Sequence, residues 1–126
     1  SGTHKKELKL WKTSGITTPT PETNKWYVST GQGMGETLKI ASEKAAYTLA
    51  DRATYLSMAD TLDLVIVREG DKGLLNQYGV IVVTGAKNQE GGQAFFDWIL
   101  SADAQKVIGE YGVEKYGQQL FVPNAE

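Results

Sequence analysis

The chain has 126 residues and a net charge of -2, and this length suits one domain with a modest hydrophobic core. It contains no cysteine, which excludes disulfide bonds and thiolate metal sites. The charge balance argues against nucleic-acid binding, which needs clustered Lys and Arg, and no apolar run approaches the roughly 20 residues of a membrane span.

The first third of the chain predicts two helices with a loop and a turn between them. Apolar side chains recur at helical spacing over residues 4–12 and again over residues 34–46. Between these segments, two prolines predict a loop over residues 17–25. A turn rich in glycine and hydroxyl side chains follows at residues 29–35 and leads directly into the second helix.

The middle of the chain predicts short strands around one short helix. Residues 47–49, 61–69 and 78–83 are rich in apolar and β-branched side chains, which favours strands. Asp51 is suited to cap a helix that runs through Met58, because its carboxylate can accept hydrogen bonds from first-turn amides.

The last third predicts two further helices, over residues 89–100 and 101–112, with Ser101 as the N-cap of the second. Helices alternating with strands predict the α/β class. The two helices carry an apolar face formed by Ala94, Phe95, Trp98, Ile99, Val107 and Ile108.

Two turns point to a function. Residues 1–4 and 29–35 both combine glycine with hydroxyl side chains, and both lead into a predicted helix. The N-terminus of a helix presents unpaired amide groups and a partial positive charge, and glycine lets the backbone approach a ligand closely. The pattern therefore favours an oxyanion held by hydrogen bonds, although a turn needed only for tight helix packing would look the same.

Other candidate chemistries have weaker support. The turn at residues 29–35 lacks the Lys-Ser/Thr ending of a nucleotide P-loop. His4 is the single histidine, so neither a catalytic triad nor a zinc site is indicated. Asp51 and Arg52 fit a substrate clamp as well as they fit a helix cap with an ion pair.

Several segments, in order and at the right spacing, resemble the periplasmic tungstate-binding proteins of ABC transporters. They are SGTHKKE at residues 1–7, WY at 26–27 with STGQGMG at 29–35, YTLADRATY at 47–55, and YGVI at 78–81. The AFFDW segment at 94–98 and the LF pair at 120–121 are similar to the C-terminal part of that family, so the likeness extends over essentially the whole chain.

The resemblance implies one lobe of a type II periplasmic binding-protein fold with C-terminal helices. The chain is similar to the second half of such a protein, without the first lobe and the Ser-Arg-Gly-Asp-Asp stretch that supplies an anion-binding arginine. On this basis residues 1–84 form the ligand-binding lobe, and residues 85–126 form a helical segment that returns toward the first lobe.

Site residues also follow from the resemblance, which implies no metal and no cofactor. The oxyanion would contact Ser1, Thr3, Gly33, Met34 and Tyr78, and the rim of the cleft would include Asp51 and Arg52.

The implied function is binding of tungstate or molybdate without chemistry, in a periplasmic or extracellular protein that is exported by a signal peptide or lipid anchor and serves a membrane permease. One alternative is the oxyanion-sensing lobe of a transcription regulator, and a less favoured one is a phosphate-ester hydrolase. The apolar face of the last two helices predicts that the chain alone pairs with a second copy of itself.

Overall fold

Helices form the regular secondary structure of this chain. The computed structural model describes residues 2–125, and among these it has six α-helices and two short 3-10 helices, at Ala59–Thr61 and Lys72–Leu74. In chain order the α-helices are α1 Gly2–Thr13, α2 Met34–Glu43, α3 Arg52–Met58, α4 Gln89–Ile99, α5 Ala102–Glu110 and α6 Val113–Tyr116.

The chain divides into two compact units, the first ending at Leu75 and the second beginning at Asn76. In the first unit α2 packs on α3, and the Leu38 and Ala41 side chains of α2 are buried. The approach is close enough that a Cβ atom on Gly35 would lie 3.4 Å from the sulfur of Met58. The packing on α3 supports the start of α2 and the glycine turn that precedes it.

In the second unit α4 packs on α5, and Ala104 is buried. The segment after α6 returns to α5. The rings of Tyr111 and Phe121 lie 6.2 Å apart, and the Gln119 side chain donates to the Gly109 carbonyl at 3.3 Å. The predicted boundary at residues 84 and 85 concerns the whole protein and stays a prediction.

The predicted helices agree with the structure apart from their ends. Asp51 caps α3 and Ser101 caps α5, as the sequence predicts. The second predicted helix ends at Glu43, earlier than expected, because Ala45 takes a left-handed backbone conformation with φ of 47°. The single turn of α6 was not predicted.

The α/β class is not confirmed, because residues 2–125 contain no strand. The three predicted strand segments at 47–49, 61–69 and 78–83 have no ladder partner among the described residues. Each segment has exposed apolar side chains, with Val65 81% and Ile81 85% accessible to solvent, and others that are half-buried. A strand requires a neighbouring strand for its backbone groups, so side-chain pattern alone does not produce one.

Candidate functional site

The turn before α2 is held by its own hydroxyl groups. The Thr30 and Thr37 hydroxyls lie 2.8 Å apart, which ties the turn to the first part of α2. Thr30 Oγ1 also accepts a hydrogen bond from the Gln32 amide at 3.3 Å. The turn is therefore a defined structure, held in place next to the helix that it precedes.

The glycines of this turn have different conformational roles. Gly31 has φ of 63°, in the left-handed region that favours glycine. Gly33 is the N-cap residue of α2 with φ of -70° and ψ of 174°, an extended conformation open to any residue. A Cβ atom on Gly33 would meet nothing within 4 Å, so the space beside its backbone is open. Glycine at position 33 would therefore leave room for a ligand beside the backbone.

The start of α2 provides unpaired donors. Gly33 makes no side-chain cap, and Met34 is the first helical residue, so the first amides of α2 gain no partner from the cap. Glu36 lies in this first turn, but its carboxylate is paired with Lys39 Nζ at 2.8 Å. The ion pair offsets the one carboxylate that would repel an anion here.

The segment at residues 1–4, predicted as a turn before a helix, is not a turn where the structure describes it, because residues 2–4 already belong to α1. Thr3 is half-buried in the first turn of α1, which contains no acidic residue. An oxyanion close to its hydroxyl would therefore meet no first-turn carboxylate of that helix. Ser1, predicted to contribute with it, lies outside the described residues.

A carboxylate that the sequence analysis did not select, that of Glu7, contacts two other side chains of α1. Glu7 Oε1 accepts from Trp11 Nε1 at 3.0 Å, and Glu7 Oε2 lies 3.2 Å from His4 Nδ1. Burial and a hydrogen bond with Glu7 raise the pKa of Tyr27 to about 12. The His-x-x-Glu-x-x-x-Trp spacing places these groups on one helix face, and it was the signal available in the sequence.

Aromatic rings lie in contact where α1 meets the segment before the glycine turn. Trp11 and Trp26 have ring centroids 6.3 Å apart, and the rings of Trp26 and Tyr27 meet edge to face at 6.0 Å. The contact between Trp11 and Trp26 connects α1 with the chain that enters the glycine turn, and Glu7 holds the Trp11 ring from within α1.

Asp51 and Arg52 occupy structural positions. Both carboxylate oxygens of Asp51 accept from Thr54, one from its amide and one from its hydroxyl, each at 2.8 Å. Arg52 is bound to Glu69 at 2.7 Å. These bonds fit the alternative of a helix cap with an ion pair, and a role at a cleft rim stays a prediction.

Tyr78 belongs to the second compact unit, whereas the residues above belong to the first. Its side chain is exposed, and its carbonyl accepts from the Gln77 side chain at 2.8 Å. Its contact with an oxyanion also stays a prediction.

A surface hollow near α5 and α6 contains none of the predicted site residues. It is lined by Glu110, Gly112, Glu114 and Lys115, and its two carboxylates make it unsuitable for an anion. Residues 2–125 include no cluster of three or more His, Asp or Glu side chains that could hold a metal ion. Within the same part of the chain, no helix is both long and apolar enough to cross a membrane.

Comparison with known proteins identifies the family. Residues 1–103 match the PBP superfamily domain. The chain belongs to the PBP superfamily. The match includes the first unit, with both predicted oxyanion turns, and reaches into α5 of the second unit.

Relatives in this superfamily carry informative names. The tungstate-binding protein TupA of Peptoclostridium acidaminophilum is 59% identical over 99% of this chain and 44% of its own length. The tungstate-binding protein TupA of Campylobacter jejuni is 37% identical over 100% of this chain and 48% of its own length. A Haloferax volcanii protein with a provisional designation as an ABC transporter anion-binding protein is 41% identical over 99% of this chain and 37% of its own length.

A solved structure agrees with these relatives. The tungstate-binding protein TupA from Desulfovibrio alaskensis G20 superposes with a TM-score of 0.73 at 44% identity. The superposition covers 100% of this chain and 52% of the solved chain. The chain thus spans about half the length of the relatives that it matches.

Proposed function

We propose that this chain forms one half of a tungstate-binding protein that delivers its anion to an ABC transporter. The observation that carries the proposal is 59% identity, over nearly the whole chain, to a protein named for tungstate binding. Thr3 and the Gly33–Met34 amides would supply neutral donors, Tyr78 a further contact, and Asp51 and Arg52 the rim. The protein would bind its anion and perform no reaction on it.

The proposed donors suit a fully deprotonated oxyanion. A desolvated site built from hydroxyl and amide donors favours a ligand whose oxygens are all acceptors. A ligand that keeps a proton, as phosphate does at neutral pH, would leave that proton without an acceptor. Tungstate and molybdate are therefore favoured over phosphate.

In the proposal, the remainder of the protein supplies the missing partners. Segments 61–69 and 78–83 expose apolar side chains, and they would become strands of an α/β lobe once neighbouring strands are present. A second lobe would close on the anion, and the closed form would be the one that a membrane permease recognises. Such a protein would work outside the cytoplasm.

The test is calorimetry on the full-length protein that carries this chain, with tungstate, molybdate, sulfate and phosphate titrated under one buffer condition. We expect tungstate to bind with micromolar or tighter affinity and phosphate to give no measurable heat. Absence of tungstate binding, or phosphate binding of equal affinity, would reject the proposal.

A further inference from the structure

We propose that Gln77 is a positioning residue for Tyr78, and that Asn124 anchors it to the segment 119–125, which packs on α5. The inference rests on the proposed function, because Tyr78 is one of the residues through which that function would hold the anion. Gln77 itself would not contact the anion. All of these residues belong to the second compact unit.

The side-chain amide of Gln77 makes hydrogen bonds in two directions. Its nitrogen donates to the Tyr78 carbonyl at 2.8 Å and to Asn124 Oδ1 at 3.3 Å. Its oxygen accepts from Asn124 Nδ2 at 2.7 Å. The two amide side chains therefore form a reciprocal pair, in which each is both donor and acceptor. The pair joins positions 47 residues apart in sequence and holds the backbone at Tyr78.

The segment that carries Asn124 is itself packed on α5. The Ala125 amide donates to Gln105 Oε1 at 3.2 Å. On the other side of Asn124, the Pro123 ring lies so close to Gly109 that a Cβ atom on this glycine would be 2.8 Å from the ring. Because both chain neighbours of Asn124 contact α5, the amide pair is attached to a helix and not to a free loop.

The Tyr78 side chain is suited to a ligand contact, because its ring is exposed while its backbone is held. Among the described residues, no hydrogen bond or ring contact restrains this ring. Its direction therefore depends on the orientation of its own backbone, which the Gln77 side chain holds. A residue that binds a ligand has to be kept near its productive position, and supporting hydrogen bonds provide this.

The exposure of the amide pair separates a positioning role from a role in stability. Gln77 and Asn124 are both exposed. Water can replace the hydrogen bonds of exposed side chains, so their loss costs little stability and should leave the protein folded. The effect on anion binding should pass through Tyr78, and it should be small when the Tyr78 hydroxyl is absent.

The experiment measures tungstate binding by calorimetry in the full-length protein that carries this chain. Gln77→Met keeps the length of the side chain but removes the amide, and we expect it to weaken binding about threefold to tenfold. Asn124→Leu should cause a similar loss, because it removes the other half of the pair. The matched control is Gln93→Met. Gln93 is exposed in the same unit, and its side chain donates to Asp97 on the same helix at 2.8 Å, so this variant should bind like the wild type.

The most informative comparison repeats Gln77→Met in a protein that also carries Tyr78→Phe. Tyr78→Phe alone should weaken binding, because it removes the hydroxyl that would meet the anion. If Gln77 acts through Tyr78, then Gln77→Met should cause little further loss in this background. A general loss of structure would instead weaken binding by the same factor in both backgrounds.

Three results would overturn the positioning role while the wild type still binds tungstate. They are unchanged binding by Gln77→Met or by Tyr78→Phe, an equal loss from Gln77→Met in the two backgrounds, and a similar loss from the Gln93→Met control. If Gln77→Met does not fold, unchanged binding by Asn124→Leu would overturn it as well. Wild-type protein without tungstate affinity would overturn the proposed function, and the positioning role with it.

Discussion

At the level of single residues, the proposed site depends on residues that do little for the fold. Thr3 lies in the first turn of α1 with no neighbouring first-turn acid. Gly33 has an ordinary extended conformation and open space beside it. Residues that hold structure can be recognised by their partners, as Asp51 and Thr30 can. Thr3 and Gly33 lack such a structural explanation, which makes them the most informative positions to change.

Replacing Thr3 by Val should weaken tungstate binding by the full-length protein about tenfold or more. The change removes one hydroxyl donor while keeping the side-chain shape, and a hydrogen bond to a charged group contributes about 1.5–3 kcal/mol. Thr3→Ser keeps the hydroxyl and should bind nearly as well as the wild type. Calorimetric dissociation constants that are equal for the Val and Ser variants would remove Thr3 from the site.

Replacing Gly33 by Val should impair tungstate binding while the protein stays folded. Valine adopts the extended conformation seen at Gly33, but its side chain would fill the space through which an anion approaches the Met34 amide. Gly31→Val is the contrasting variant, because its left-handed φ of 63° makes an L-residue cost at least about 1–2 kcal/mol. Urea unfolding should separate the two, and normal tungstate affinity in Gly33→Val would make the turn purely structural.

The sequence pattern predicted the glycine turn before α2 and missed details of the local structure for a physical reason. Glycine and hydroxyl residues before a helix are a local signal, so the turn before α2 could be found, whereas residues 2–4 form the beginning of α1 itself. The sequence pattern could not show which glycine needs its conformational freedom, since φ at Gly31 and Gly33 depends on the turn that forms. Nor did it identify the contact between Trp11 and Trp26, which are fifteen residues apart in sequence.

At the level of elements, local signals predicted the helices and failed for the strands. Helical periodicity and the caps at Asp51 and Ser101 act within one turn, so the chain itself contains the information. Residues 61–69 have a strand-like composition, yet their backbone requires hydrogen bonds from a neighbouring strand. No such neighbour exists among residues 2–125, and Val65, Ile66 and Val67 of the segment are exposed.

The cap of α3 gives a prediction at this level. Asp51→Ala removes an acceptor from both the Thr54 amide and the Thr54 hydroxyl, and it should lower the free energy of unfolding by about 0.5–2 kcal/mol. Asp51→Asn keeps an oxygen for the amide and should lose less. Urea unfolding measures both effects, and an unchanged midpoint for Asp51→Ala would contradict the cap's importance. Weaker tungstate binding by a folded Asp51→Asn variant would assign Asp51 to the rim.

At the level of the whole molecule, the described residues include few buried apolar side chains and many exposed ones. The buried apolar side chains are Leu38, Ala41 and Ala104, whereas Trp98 is 52% accessible to solvent. The relatives are about twice as long as this chain, and under the proposed function the remaining half of the protein would cover such surfaces. In their absence, another copy of the chain is the available partner.

The 126-residue chain studied alone should therefore self-associate and bind tungstate weakly at best. Pairing through the apolar face of α4 and α5 predicts that Trp98→Gln reduces association, whereas Tyr47→Gln, at an exposed position in the other unit, does not. Light scattering measures the mass across a concentration series. A monomer at high concentration would contradict the association, and tight tungstate binding by that monomer would contradict the half-protein proposal.

The location of bound tungsten tests the central claim most directly. Crystals of the full-length protein grown with tungstate would give an anomalous difference map in which the metal stands out from the lighter protein atoms. We expect one strong peak whose oxygens lie within hydrogen-bonding distance of Thr3 Oγ1 and the Met34 amide. A single peak elsewhere, with Thr3 and the start of α2 facing only water, would contradict the account.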